Sequence, residues 1–299
     1  MPGTAVLIRV GSRGSRLALT QAELAAEALR GPRGGERSIE IALVPITTAG
    51  DRDRTKPFGQ IGERGVFVKE LEEALLEGRI DVAVHSAKDM TSTDTEGLAV
   101  GAYPPREDPR DALCGAGEIR PGMRIGTASV RRRAQLLALE PTLSIEPLRG
   151  NIDTRLRKRG ERGLDAIILA ACGLDRLGLG REIGHRFDPE QLLPEAGQGA
   201  LALQVRAEDT ALLDALGPLD HRPTRVAVEA ERALLREIGG GCLAPLGALG
   251  EVVGERLRLR AAFEVRGGLS RADAAGPVAE AARLVRQIAG DLATATVTA

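Results

Sequence analysis

Aromatic residues are scarce in this sequence, and lysine is rare. Only 2% of the 299 residues are Phe, Trp or Tyr, and Trp is absent. Because single-stranded nucleic acids and quaternary ammonium ligands bind largely by stacking on aromatic rings, this scarcity disfavours both kinds of binding protein. Only four of the 41 basic residues are lysines. Positive charge is therefore carried by arginine, whose planar guanidinium binds carboxylates and phosphates through paired hydrogen bonds.

Long hydrophobic runs, cysteine pairs and histidine clusters are also missing. No apolar run approaches the roughly 18 residues of a membrane span, and the N-terminus has no basic segment ahead of an apolar one, so we expect a cytoplasmic protein without a signal peptide. Cys114, Cys172 and Cys242 have no Cys-x-x-Cys spacing and are expected to be free thiols. The three histidines have no metal-ligand spacing, so no metal site is predicted.

Two stretches of the sequence share one plan. Residues 9–16 and 124–133 each combine a strand end, a turn with glycine and serine, one or more arginines, and a helix start. Residues 78–85 and 163–170 then repeat a glycine followed by a short apolar strand. We therefore predict two similar α/β lobes, each with an anion-binding turn at a helix N-terminus.

The remaining segments predict how these lobes are connected. Residues 103–109 are proline-rich and read as a crossover, and the alternating pattern of 201–205 predicts a strand that returns to the first lobe. The expected domains are a first lobe of residues 1–104 with 200–219, a second lobe of residues 105–199, and a C-terminal α+β domain of residues 220–299. Residues 51–64 are charged and patternless, which is typical of a lid or binding loop.

An apolar strand pattern ends abruptly in charged residues at Lys88 and Asp89. Ligand crevices form at the carboxyl ends of strands in open α/β sheets, so this pair is either a structural ion pair or part of a reactive site. The matching stretch of the second lobe ends in Ala170, Ala171 and Cys172. Since the fold itself does not require Lys-Asp there, the comparison favours function.

Several arginines lie at strand ends or helix starts rather than on helix outer faces. They are Arg13, Arg16, Arg131, Arg132, Arg149 and Arg155. A helix that begins with three arginines opposes its own dipole, at a cost of some tenths of a kcal/mol per charge, which a bound anion offsets. We expect an anion-binding cleft, and a ligand with several carboxylates fits it as well as a phosphate does.

Cys242 differs from the other two cysteines in its surroundings. It follows three glycines, which let the backbone pass close to a bulky group and expose the sulfur. Cys172 follows an apolar strand and is expected in the core, whereas Cys114 is ambiguous. A nucleophilic cysteine needs a nearby base or a lowered pKa, so a tolerated loop cysteine stays open as the alternative.

Together these motifs resemble the porphobilinogen deaminase (hydroxymethylbilane synthase) family. The resemblance covers residues 8–247 and implies two lobes like those of type II periplasmic binding proteins plus a third domain. The matching segments are Val84-His-Ser-x-Lys-Asp89, Arg106-Glu-Asp-Pro-Arg-Asp111, Gly126-Thr-x-Ser-x-Arg-Arg132, Leu148-Arg-Gly-Asn-x-x-Thr-Arg155, Ala166-Ile-Ile-Leu-Ala170, Gln198-Gly199 and Gly240-Gly-Cys242.

The resemblance implies a transferase of tetrapyrrole and heme biosynthesis. It would condense four porphobilinogen molecules head to tail, with loss of ammonia, into linear hydroxymethylbilane on a dipyrromethane cofactor attached to Cys242 by a thioether. Asp89 would be the catalytic carboxylate that binds pyrrole N–H groups, stabilises the cation formed as ammonia leaves, and carries protons. A cytoplasmic monomer that binds neither nucleic acid nor membrane is expected.

The acidic side chains of each pyrrole account for the arginines in this interpretation. Residues implied to hold the cofactor, besides Cys242, are Lys88, Thr127, Ser129, Arg131, Arg132 and Arg155. Residues implied to bind the incoming substrate are Arg13, Ser15, Phe67, Arg149, Arg176 and Gln198, with Phe67 as a stacking partner. Two stretches depart from the family, namely Gln60 to Arg64 in the lid, where lysines are frequent, and Met90-Thr91, where Val-Pro is usual.

Two other classes of protein remain as alternatives at this point. A non-catalytic anion-binding protein on the same two-lobed scaffold would have no use for Cys242. An arginine-rich RNA-binding module would bind with strong salt dependence, but the net charge of −1 argues against it.

Overall fold

The protein is represented by a computed structural model, which describes residues 6–31, 39–48, 68–239, 245–265 and 268–297. The chain divides into two compact units. The first comprises Met1–Arg106 and Ala200–Arg225, and the second comprises Glu107–Gly199 and Val226–Ala299.

The described elements follow one another in an alternating order typical of α/β proteins. The first part of the chain contains β1 (Val6–Arg13), α1 (Arg16–Arg30), β2 (Ile39–Ile46), α2 (Lys69–Leu76), β3 (Val82–Ser86) and β4 (Leu98–Ala102). The middle contains β5 (Asp111–Cys114), β6 (Arg124–Gly126), α3 (Val130–Leu139), β7 (Ser144–Glu146), α4 (Ile152–Glu161), β8 (Ala166–Ala170), α5 (Ala171–Arg176) and β9 (Ile183–Arg186). The last part contains β10 (Leu201–Arg206), α6 (Thr210–Leu216), α7 (Arg222–Glu237), β11 (Leu246–Val253), β12 (Arg256–Val265), β13 (Gly268–Pro277) and α8 (Ala281–Val297).

In the described part of the first unit, five strands form a mixed sheet in the order β2-β1-β3-β10-β4. β1 is parallel to β2 and to β3, whereas β10 is antiparallel to both β3 and β4. Val10, Val84 and Leu203 bring three neighbouring strands into one core, which also includes Ala22 and Leu29 of α1. The predicted return of the chain to the first lobe through residues 201–205 is confirmed.

The described part of the second unit repeats this topology in a sheet of order β7-β6-β8-β5-β9. β6 is parallel to β7 and β8, and β5 is the antiparallel strand between β8 and β9. In each sheet the antiparallel strand, β10 or β5, is thus the first strand that follows the passage of the chain into that unit. The shared strand order confirms the prediction of two similar α/β lobes.

The third parallel strand begins in the same way in both lobes. Gly78 and Gly163 end the preceding helices with positive φ angles of 67° and 60°, a conformation that glycine adopts without steric cost. Asp81 then accepts a hydrogen bond from the Arg9 backbone N–H at 2.9 Å, and Asp165 accepts the equivalent bond from Arg124 at 2.7 Å. The same glycine and the same aspartate hydrogen bond thus precede β3 and β8.

β1 extends into the segment that the sequence predicts to be a turn. Gly11, Ser12 and Arg13 continue the pairing with β2. The reason is tertiary, because a side chain at residue 11 would lie 2.3 Å from Ile80 Cδ1, so glycine lets the two strands approach closely. Arg13 consequently ends a strand rather than lying in the turn.

The C-terminal part of the second unit is an antiparallel sheet of order β11-β12-β13 with two helices against it. Leu234 of α7, Leu259 of β12 and Ile288 of α8 are fully buried in one core, as an α+β domain requires. The final helix begins at Ala281. β13 pairs with β12 as far as Pro277, so residues up to 277 are held in the sheet.

Candidate active site

The charged end of β3 is held by two buried neighbours. Ala87, Lys88 and Asp89 form one 3-10 turn directly after the strand, and the Ala87 N–H donates to the Ala200 carbonyl at 3.0 Å. Ala87 and Met90 are 1% and 5% exposed, whereas Lys88 and Asp89 between them are half-buried. The buried residues fix the turn, so the two charged side chains are presented at the carboxyl end of β3.

A cavity of about 60 Å³ lies at this end of the first unit's sheet. Asp89, Arg13 and Ser15 line it from the ends of β3 and β1 and from the start of α1, so three predicted site residues are brought together. The other lining residues are Leu17, Ala18, Gln21, Val68, Leu71, Val84, His85 and Ser86. The volume has room for a few water molecules, or for one acidic side chain of a larger ligand.

Asp89 has no internal partner in the part of the chain that is described. Its carboxylate accepts no hydrogen bond there and forms no ion pair, including none with Lys88. The structural ion pair that the sequence left open is therefore not formed. A half-buried carboxylate without an internal donor is available to accept hydrogen bonds from a ligand.

A chain of buried hydrogen bonds supports the cavity from behind. His85 is 4% exposed, and its Nε2 lies 2.9 Å from Gln204 Oε1. Gln204 Nε2 donates to Glu72 Oε1 at 2.9 Å, and the Thr95 hydroxyl donates to Glu72 Oε2 at 2.8 Å. With its amide nitrogen donating to Glu72, Gln204 accepts from His85. The chain joins β3, β10 and α2 and gives the cavity a rigid floor.

The two predicted anion-binding turns, and the turn before α4, are capped by their own side chains. Ser15 Oγ accepts from the Ala18 N–H at 3.3 Å, and Ser129 Oγ accepts from the Arg132 N–H at 3.4 Å. Asn151 Oδ1 accepts from Thr154 at 2.9 Å in the same way. Each cap satisfies one N–H group of the helix terminus, and the serine hydroxyl protons stay available for donation. Thr127 is buried, and its Oγ1 accepts from the Ser129 N–H at 3.2 Å.

The two arginines at the start of α3 are buried around a single carboxylate. Arg131 and Arg132 are 2% and 5% exposed, and Asp111 is fully buried. Arg131 NH1 lies 2.8 Å from Asp111 Oδ2 and donates to the Leu193 carbonyl at 2.6 Å. Arg132 NH2 donates to Asp111 Oδ1 at 2.7 Å, and its NH1 donates to the Ile168 carbonyl at 3.1 Å. An internal anion thus compensates part of the charge that the sequence left to a ligand.

Asp111 is the site residue for which the sequence predicted no role. Burial on its own raises the pKa of Asp111, but Arg131, Arg132 and the hydrogen bonds donated to it hold that pKa far below its ordinary value. Gln198, also fully buried, donates to Asp111 Oδ1 at 2.8 Å and to the Pro109 carbonyl at 2.7 Å. The sequence signal for this role is a carboxylate at the start of an apolar strand, because a buried carboxylate requires cationic partners.

Arg16 is the first residue of α1 in the first unit, and three other predicted arginines lie in the second unit. Arg176 has a side chain only 3% exposed, which donates to Glu107 Oε1 and to the Gly199 carbonyl, both at 2.9 Å. Arg176 therefore links the segments around residues 107 and 199. Arg149 lies in the turn before α4 and Arg155 within that helix, and both are half-buried.

Several predicted site residues lie outside the described residues. They are Phe67, Cys242 and the lid residues Gln60 and Arg64. The other two cysteines are buried thiols that form no disulfide among the described residues. Burial raises the pKa of the Cys114 thiol to about 11, so this residue, ambiguous in the sequence, is an unreactive core thiol.

Neither a metal-ligand cluster nor a membrane-spanning helix occurs among the described residues. There, no group of three or more His, Cys, Asp or Glu side chains is arranged to hold a metal ion. No helix within the same ranges is long and apolar enough to cross a membrane.

Two family models match this chain over most of its length. One, described as "Porphobilinogen deaminase, dipyromethane cofactor binding domain", matches residues 8–214. The other, "Porphobilinogen deaminase, C-terminal domain", matches residues 226–294.

Individual relatives agree with the family models. A protein named porphobilinogen deaminase from Roseiflexus sp. (strain RS-1) is 44% identical over 279 residues, which cover 90% of this chain and 91% of the relative. Another of that name from Syntrophotalea carbinolica is 46% identical over 292 residues, which cover 95% of this chain and 92% of the relative. The similarity thus extends over nearly the full length of both relatives.

Among solved structures, a substrate binding domain of a putative amino acid ABC transporter from Streptococcus pneumoniae matches 78% of this chain and 94% of its own, with 14% identity and a TM-score of 0.44. A TRAP periplasmic solute binding protein from Desulfovibrio salexigens matches 73% of each chain, with 8% identity and a TM-score of 0.41. With scores this low, the fold assignment rests on the strand orders given above.

Proposed function

Because this chain belongs to the porphobilinogen deaminase family, we propose that Asp89 is the catalytic carboxylate of a hydroxymethylbilane synthase. The family's enzyme polymerises porphobilinogen into hydroxymethylbilane with a dipyrromethane cofactor, as a transferase of tetrapyrrole and heme biosynthesis. One observation carries the assignment: Asp89 lines a cavity with Arg13 and Ser15, and its carboxylate accepts nothing from the residues that are described.

The second unit contains donors that suit a ligand with several carboxylates. Nε and NH2 of Arg131 and Nε of Arg132 are buried without a hydrogen-bond acceptor among the described residues. Carboxylates of the dipyrromethane are matching acceptors. We assign its thioether to Cys242 and its other contacts to Lys88, Thr127, Ser129, Arg131, Arg132 and Arg155. When bound, the dipyrromethane supplies the pyrrole carbon to which the first porphobilinogen is joined.

Asp89 acts on the incoming substrate. Its carboxylate accepts the pyrrole N–H of porphobilinogen, and its fixed negative charge stabilises the cation that forms as ammonia leaves. Because this interaction is stronger with the cation than with neutral substrate, it lowers the barrier rather than only improving binding. The same carboxylate takes up and returns the proton that moves when two pyrroles are joined.

The substrate's acidic side chains are assigned to the cationic and hydroxyl groups around Asp89. Arg13 and Ser15 share its cavity. The further residues assigned to substrate binding are Phe67, Arg149 and Arg176, whereas the amide of Gln198 donates to Asp111.

The role of Asp89 is tested by Asp89→Asn, which keeps the size of the side chain and removes its charge. Turnover of porphobilinogen should fall by roughly 100-fold or more, while the urea unfolding curve stays that of the parent. Asp94→Asn is the matched control, because Asp94 is an exposed carboxylate outside the cavity. Turnover retained in Asp89→Asn would remove Asp89 from this role.

Cofactor attachment is tested by the intact mass of the purified protein beside Cys242→Ala. The parent should carry the added mass of a dipyrromethane and the variant should not. A parent protein without added mass, which also takes up no porphobilinogen, contradicts the proposal.

We also propose a cytoplasmic monomer with domains bounded near residues 104, 199 and 219. Light scattering should give the mass of one chain. Limited proteolysis should release a fragment beginning near residue 220.

A further inference from the structure

The two arginines beside Asp111 keep buried N–H groups for which the described residues provide no acceptor. One carboxylate contacts two guanidinium groups, and the other acceptors among the described residues are the neutral carbonyls of Leu193 and Ile168. Glu195, which is half-buried, adds a more distant negative charge near Arg132. Two buried positive charges around one touching carboxylate favour the binding of a further anion.

Asp111 contacts one terminal nitrogen of each guanidinium group. It contacts NH1 of Arg131 and NH2 of Arg132. The atoms left buried without an acceptor among the described residues are Nε and NH2 of Arg131 and Nε of Arg132. Since Nε and one terminal nitrogen of a guanidinium form the fork that binds a carboxylate in a bidentate manner, Arg131 keeps one complete fork.

We propose that Asp111 is a positioning residue for attachment of the dipyrromethane, because it holds the two guanidinium groups by the nitrogens that the ligand does not use. The inference rests on the proposed function, since it names what orients the cofactor-binding arginines. Asp111 itself touches no ligand. Its strand, β5, is paired on both sides, with Asp111 opposite Ala170 and its carbonyl accepting from Phe187 at 2.9 Å, so the carboxylate is anchored in the sheet.

Gln198 belongs to the same arrangement and supports Asp111. Both N–H groups of its amide are used, one on Asp111 Oδ1 and one on the Pro109 carbonyl. The side chain is fully buried. Gln198 therefore acts through Asp111, rather than by donating to substrate.

The test compares cofactor loading in Asp111→Asn and in the parent. Apoprotein of each full chain is mixed with porphobilinogen, and the gain in intact mass is followed over time at several substrate concentrations. Asp111→Asn keeps the shape and removes the charge that orients the arginines. Its loading should be slower by roughly tenfold or more, the equivalent of one charge-assisted hydrogen bond, with a higher half-saturating concentration.

If Asp111 had only a structural role, Asp111→Asn would give a different result. The substitution would reduce the folded fraction, and so the amplitude of the mass gain, without changing the half-saturating porphobilinogen concentration. Asp108→Asn is the matched control, because Asp108 lies in the same segment but pairs with Arg110 and Arg186; it should load like the parent. Folded Asp111→Asn that loads with the parent's rate and half-saturation overturns the inference.

A second variant covers the case in which Asp111→Asn does not fold. Gln198→Met keeps the volume, leaves both arginines and Asp111 in place, and removes the amide that holds Asp111. Slower loading with a raised half-saturating concentration supports the inference, and loading equal to the parent's overturns it. A parent that never gains mass contradicts the proposed function instead, so the two failures are distinguishable.

Discussion

The two lobes share one strand order but differ in the charged side chains at the start of α1 and of α3. The helix caps Ser15 and Ser129 align α1 with α3, so that Leu17 and Ala18 correspond to Arg131 and Arg132. In the first lobe these smaller side chains line a cavity beside Asp89. In the second lobe the two buried arginines form ion pairs with an internal carboxylate.

The antiparallel strands account for this difference. β10 begins with Leu201 opposite Ser86, whereas β5 begins with Asp111 opposite Ala170. One lobe therefore brings its carboxylate to a cavity, with no partner for it among the described residues, and the other surrounds its carboxylate with cations. A repeated scaffold can thus carry one group for reaction and another for positioning, because the inserted strand decides where the counterion lies.

The largest effect is expected from removing the paired carboxylate. Asp111→Ala leaves two buried guanidinium groups without their anion and should lower the free energy of unfolding by about 3–5 kcal/mol. Asp89→Ala removes a half-buried group that has no partner in the described part of the chain, and it should change the free energy of unfolding by no more than about 0.5 kcal/mol. Urea unfolding measures both. Equal losses would break the distinction between the two carboxylates.

The ion pairs of Asp111 should also make the free energy of unfolding depend on pH. The folded pKa of Asp111 is lowered, so its contribution is complete above its unfolded pKa of about 3.9 and is lost as the pH falls through the lower folded value. The free energy of unfolding should therefore decrease in acid. The decrease should be smaller in Asp111→Asn, which has no carboxyl group to protonate. Parallel curves for the two proteins would exclude Asp111 as the source.

The shared scaffold is tested at a glycine that both lobes have at the same point. A side chain at residue 126 would meet Leu164, Leu148 and Ile167 within 3.0 Å, whereas at residue 11 it meets only Ile80. Gly126→Ala should cost about 1–3 kcal/mol in unfolding free energy, and Gly11→Ala less, because one flexible side chain can move. Gly14→Ala, which contacts nothing within 4 Å, is the control.

The smallest effects concern the helix caps, where the lobes should not differ. Ser15→Ala and Ser129→Ala each remove one hydrogen bond to a helix N–H group and should each cost about 1 kcal/mol. Thermal unfolding followed by circular dichroism measures both. A clearly larger cost for Ser129 would show that its hydroxyl also orders the arginine cluster.

Much of the site follows from features that are local in the chain. Asp89 was found because a short apolar strand ends in charge where its repeat in the second lobe does not. The hydrogen bonds that support it join residues 119 and 132 positions apart, and no local pattern connects His85 with Gln204 or Gln204 with Glu72. The extension of β1 to Arg13 also depended on a distant contact, that of Gly11 with Ile80.

The sequence by itself determined the alternating strands and helices, the repeated lobe, and the family to which the motifs belong. These depend on periodicity, turn residues and spacing, which act over a few residues. Only the tertiary structure decided which charges are neutralised internally. Arg131, Arg132 and Asp111 meet because β5 runs antiparallel between β8 and β9, and a buried charge is stabilised by whichever partner the strand order brings within about 3 Å.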